Sequence, residues 1–233
     1  MGRFVARCAA LGIAVWLYFF GKEQFDVLPG MAFFEQLSLL HLLWGIWIMD
    51  MLMQLIPLTR LVPLGSQKLF ALHYRPRERV GKEGKLAAYS KDQNRRAFWI
   101  FVVWALLIAG IGVLYGRKIL QGAELFLISV LFYVCDLICV LFWCPFRVFF
   151  LQNRCCTTCR IFNWDHLMMF TPMLFVRGFY SFSLLLMSFS VWLVWELCIM
   201  MYPERFWEQT NEALKCSQCT DKLCTQYCQK LRR

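Results

Sequence analysis

The sequence predicts an all-α protein, a polytopic transmembrane helical bundle of five spans or six. Three observations carry that expectation. Of 233 residues, 60% are hydrophobic and only 17% charged, against about 25% charged in an ordinary soluble domain. The apolar residues fall in long blocks instead of being spread along the chain. The net charge of +10 lies largely beside those blocks, which suits lipid headgroups and argues against nucleic acid as a partner.

A helix needs about 20 apolar residues to cross the hydrocarbon, and five blocks approach that length. The first, Phe4 to Phe20, is short and contains Arg7. Its basic start resembles a secretory leader, but Tyr18-Phe19-Phe20-Gly21-Lys22 offers no small-x-small cleavage site, so a retained span is expected. The second block is Leu37 to Leu58, the third Ala97 to Tyr115, the fourth Leu125 to Cys144 and the last Phe179 to Tyr202. Ile161 to Val176 is apolar from Leu167 onward and interrupted by Pro172. As a re-entrant segment it leaves five spans and an external C-terminus. As a short crossing it makes six and returns the C-terminus to the cytoplasm.

Lys and Arg set the orientation. Arg60 to Arg96 holds ten basic residues and three acidic ones, whereas Gly21 to Gln36 holds one Lys and three acids. The first connection should therefore be cytoplasmic and the second external, with the N-terminus cytoplasmic. Arg117 and Lys118 in the next connection run mildly against this pattern. Residues 1–202 are thus expected to form a membrane domain with a basic cytoplasmic loop at 59–96. Residues 203–233 form a cysteine-rich tail. The loop should attract anionic lipid headgroups, at about 1 kcal/mol per basic residue near the surface.

In the third block Ala105, Ala109, Gly112 and Gly116 fall on one helical face. Small residues there let another backbone approach closely, and packing within the bundle is the expected use.

Ionisable residues inside a membrane are expensive and mark functional sites. His41, Asp50, Asp136 and Glu196 qualify. Asp50 and Asp136 lie in spans expected to run the same way and form a possible ion or proton site, where two carboxylates meet and share a proton or a cation. The plainer alternative pairs each with a Tyr, Trp or Ser. Glu196 is expected to reach the interface.

Twelve cysteines are the other signal. Cys216, Cys219, Cys224 and Cys228 form C-x2-C-x4-C-x3-C, four thiolates that suit zinc or an iron–sulfur cluster. Two disulfides or four reduced thiols are the alternatives. Cys155, Cys156 and Cys159, followed by His166, supply three sulfurs and a nitrogen for a second metal or redox group. Acylation of the loop cysteines is a third use.

The run Asn153-Arg-Cys-Cys-Thr-Thr-Cys-Arg-Ile-Phe-Asn-Trp-Asp165, then Pro203-Glu-Arg-Phe206 and the Cys tail, resembles a set of uncharacterised bacterial multi-pass membrane proteins. The resemblance covers the last third of the chain. It implies the bacterial plasma membrane and no particular activity.

No G-x-S-x-G, H-E-x-x-H, Walker A or kinase signature occurs. The expectations are therefore a membrane protein with a Cys-ligated metal or redox site in its tail, a transporter or carrier subunit using Asp50 and Asp136, or a membrane scaffold. An enzyme ranks last. Substrate and protein partners are not legible.

Overall fold

A computed structural model describes residues 2–57, 64–77, 83–153 and 155–215. The helices are α1 (Gly2–Phe20), α2 (Leu40–Gln54), α3 (Leu64–Gln67), α4 (Glu83–Gly116), α5 (Gly122–Leu141), α6 (Asp165–Phe170) and α7 (Phe179–Met201). Among the described residues there is no strand, only the isolated bridges Gly30 with Gly178 and Pro76 with Asn211.

Three helices are long and apolar enough to cross a bilayer: α4, α5 and α7. Their outer faces carry large apolar side chains, such as Trp99, Leu106, Phe182, Leu186 and Met200, that are more than half exposed. In water that exposure is costly; against acyl chains it is not, so these helices are built to face lipid. At 34 residues and 1.5 Å per residue, α4 is about 50 Å long. It outreaches the roughly 30 Å hydrocarbon layer, and its first turns carry the charged residues from Glu83 to Arg96. The second block yields a helix of only 15 residues.

The chain forms two compact units. The first comprises residues 1–52, 104–137 and 165–190. Within it, side-chain bonds fix the helix directions. Tyr18, late in α1, donates to Glu124, early in α5, at 2.6 Å. Arg7, early in α1, donates to Asp136, late in α5, at 2.6 Å. These two helices are therefore antiparallel. Tyr180 donates to the Leu40 carbonyl at 3.0 Å and Trp44 donates to Ser183 at 2.8 Å, so α2 and α7 run parallel.

The segment Thr171–Phe175 forms a short 3-10 helix. It runs alongside α4 in the same direction: Trp104 donates to Thr171 at 3.0 Å, and Phe175 stacks on Tyr115 with centroids 6.1 Å apart. The Phe175 ring covers Gly112 so closely that a Cβ there would come within 2.5 Å of it. Of the small-residue face, Gly112 makes this contact, whereas Ala105 and Ala109 are exposed.

Gly178 reverses the chain into α7. It pairs with Gly30, which sits at φ +61° and donates to the Arg177 carbonyl at 2.8 Å. A Cβ on Gly178 would overlap the Leu28 carbonyl oxygen, so no side chain fits at this turn.

The second unit comprises residues 53–103, 138–164 and 191–233. Here the basic loop is docked. Residues 75–77 pair with 210–212 through Arg77 N–H to Thr210 at 3.1 Å and Glu212 N–H to Arg75 at 2.9 Å. Tyr89 stacks on Trp207, centroids 5.0 Å apart. The start of the tail, 203–215, therefore packs within this unit.

Candidate functional site

The first unit holds a cluster of ionisable side chains. Arg7 lies on α1, Asp50 on α2, Asp136 on α5, and Asp165 and His166 open α6. Arg7 donates through Nη1 to Asp136 Oδ2 at 2.6 Å and to the Tyr133 carbonyl at 2.8 Å. Its guanidinium also lies 4.0 Å from the Tyr133 ring centroid. Charge, carbonyl and ring face together compensate a cation that is costly in an apolar setting.

His166 is 3% exposed. Its Nε2 stands 3.5 Å from Asp50 Oδ2 and its Nδ1 3.2 Å from Asp165 Oδ1. Each ring nitrogen thus faces a carboxylate.

The sequence groups His166 with the Cys155, Cys156 and Cys159 thiols; in the structure its nitrogens face Asp50 and Asp165. The cation for Asp136 comes from the first helix, as Arg7, which the later spans gave no hint of. Glu196 does not simply reach the interface. It accepts two bonds from Arg160, at 2.7 and 2.5 Å, and one from Trp164 at 2.7 Å.

The second unit holds the Cys155–Cys159 turn. Thr158 Oγ1 donates to the Cys155 carbonyl at 3.0 Å and Thr157 Oγ1 to Cys155 Sγ at 3.2 Å. Burial raises the Cys159 thiol to about 11 and pushes Cys156 higher still. Thiols held protonated are weak nucleophiles and weak ligands.

Lys68 lies beside this turn, 3% exposed. Nζ donates to the Cys159 carbonyl at 3.2 Å and lies 5.0 Å from the Trp195 ring and 5.4 Å from Phe206. Burial lowers it to about 7. The sequence places Lys68 in a solvated basic loop. The apolar Leu69-Phe70 that follows it was the available sign of burial.

No known protein family, curated protein or solved structure matches this chain. The functional reading therefore rests on the two units themselves. Cys216, Cys219, Cys224 and Cys228 lie outside the described residues. Among the described residues no group of three or more His, Cys, Asp and Glu side chains is arranged to hold a metal ion.

Proposed function

We propose that the chain is a multi-pass protein of the bacterial plasma membrane that moves protons, alone or coupled to a solute, through the cluster of Asp50, Asp165, His166, Asp136 and Arg7. One observation carries this: a buried imidazole with a carboxylate at each nitrogen, 3.5 and 3.2 Å away. Such a relay exchanges protons without moving the ring far. The Arg7–Asp136 pair beside it supplies a fixed field, the arrangement expected of intramembrane ionisable groups on a transport path.

The topology that goes with this has six crossings and both termini in the cytoplasm. The antiparallel α1 and α5, the parallel α2 and α7, and the 165–175 segment running with α4 are directions that such a bundle requires. The surplus of Lys and Arg between Arg60 and Arg96 supports the orientation. With that parity the Cys216–Cys228 tetrad shares a side with the Cys155–Cys159 turn, and zinc or an iron–sulfur cluster in the tail remains a second function to test by metal analysis.

The test is proton flux into proteoliposomes with a trapped pH-sensitive dye. Flux above that of empty vesicles is expected for the native chain. Asp50→Asn and His166→Gln are each expected to abolish it, and flux unchanged in both would overturn the proposal.

A further inference from the structure

At the end of the first unit where α1 finishes and α5 begins lies a cavity of about 850 Å³. That size falls within the range of small-molecule pockets. Its walls include the rings of Tyr18, Tyr115 and Phe175, an apolar surface with polar edges. Two cations and two carboxylates line it: Lys22, Arg177, Asp26 and Glu124. Glu124 is pre-oriented, accepting from Tyr18 Oη at 2.6 Å and from the Gln121 N–H at 2.8 Å. Among the described residues neither Asp26 nor Arg177 has an ion-pair partner. Charges of both signs, left unpaired around an aromatic wall, suit a guest that brings both charges itself.

From Phe25, one of the lining residues, a chain of ring contacts leads to the Arg7 site. Phe25 meets Phe126 at 5.7 Å, Phe126 meets Trp47 at 5.9 Å, and Trp47 meets Tyr133, the ring beneath Arg7, at 5.8 Å. Trp47 is fully buried, and its Nε1–H has no hydrogen-bond partner. A buried donor without an acceptor costs about 1–3 kcal/mol.

We infer that this cavity binds a zwitterion, an ammonium and an anionic group on one apolar body, with Arg177 and Lys22 holding the anion and Asp26 and Glu124 the ammonium. The Phe25–Phe126–Trp47 rings form the closed gate between that site and the Arg7–Asp136 pair. The same chemistry is presented by an aliphatic amino acid from solution and by a phosphatidylethanolamine headgroup from the bilayer. The binding site goes beyond the proton-relay proposal and does not depend on it.

The test is calorimetric titration of the full chain in phosphatidylglycerol nanodiscs, whose lipid lacks an ammonium. The probes are L-leucine, dihexanoylphosphatidylethanolamine, and the two half-ligands 4-methylpentanoate and isoamylamine. At least one zwitterion should bind tenfold or more tighter than either half-ligand, and Arg177→Ala and Asp26→Ala should each remove that preference. Both substitutions are at exposed positions. Leucine binding identifies a dissolved solute as the guest; binding of the phospholipid alone identifies a headgroup. No zwitterion preference, or one unchanged in both variants, overturns the inference. Asp50→Asn should retain binding, so loss of flux and loss of binding are separate failures.

Discussion

The two units each bury a cation, and they do so by different means. In the first, Arg7 and His166 stand against carboxylates, at 2.6 Å for Asp136 and 3.2 and 3.5 Å for Asp165 and Asp50. In the second, Lys68 has a backbone carbonyl and aromatic faces. A carboxylate is a proton acceptor as well as a counter-charge. A carbonyl and a ring face are not. Counter-charges stabilise a charged form strongly, whereas the carbonyl and rings around Lys68 leave burial to lower its pKa. The first arrangement suits transfer and the second suits packing.

The strongest way to break the comparison is Arg7→Met. It strands the Asp136 carboxylate, and removing one partner of a buried pair costs about 3–5 kcal/mol. The double change Arg7→Met with Asp136→Leu should recover most of that loss in denaturant titrations of the micellar protein. Equal stability of native chain and single variant would show that the pair holds nothing together. Glu196→Gln comes next. It weakens two charge-assisted bonds to Arg160, and a loss of about 2 kcal/mol is expected by the same titration.

Lys68→Met sharpens the contrast through pH. Burial lowers the ammonium to about 7, whereas the unfolded chain keeps it near 10.4. Between those values the unfolded state binds more protons, so this group makes the native protein more stable as pH rises. Below about 7 the whole penalty is present. Lys68→Met should therefore exceed the native Tm at pH 6 and lose most of that advantage by pH 10; a lowering of about three pH units corresponds to at most about 4 kcal/mol, at about 2–4 °C each. A pH-independent difference would refute the burial argument. The smallest effect is kinetic. With Cys159 raised to about 11, alkylation by N-ethylmaleimide at pH 8 should be at least tenfold slower than for free cysteine, and a rate equal to free cysteine would mean an accessible thiolate.

The helical class was legible because apolar blocks as long as a bilayer have few other uses. Asp50 and Asp136 were legible as well, since a carboxylate in such a block stands out. Their surroundings were not. Arg7 and Asp136 are 129 positions apart, and no periodicity links them. The surroundings of His166 were hidden too: it follows the Cys155–Cys159 run closely in sequence, while its nitrogens face Asp165 beside it and Asp50 on α2. The parity of crossings hung on Pro172, which neither forbids a crossing nor requires one. The pairing of Tyr180 with Leu40 and of Trp44 with Ser183 fixes the direction of α7 relative to α2, and such contacts have no signature in sequence.

The 129-residue separation also bears on biosynthesis. A ribosome adding about 5–20 residues per second needs roughly 6–26 s after Arg7 to reach Asp136. For that interval the first helix carries a guanidinium whose carboxylate does not yet exist. A nascent chain cut short before α5 keeps that charge without the Asp136 carboxylate.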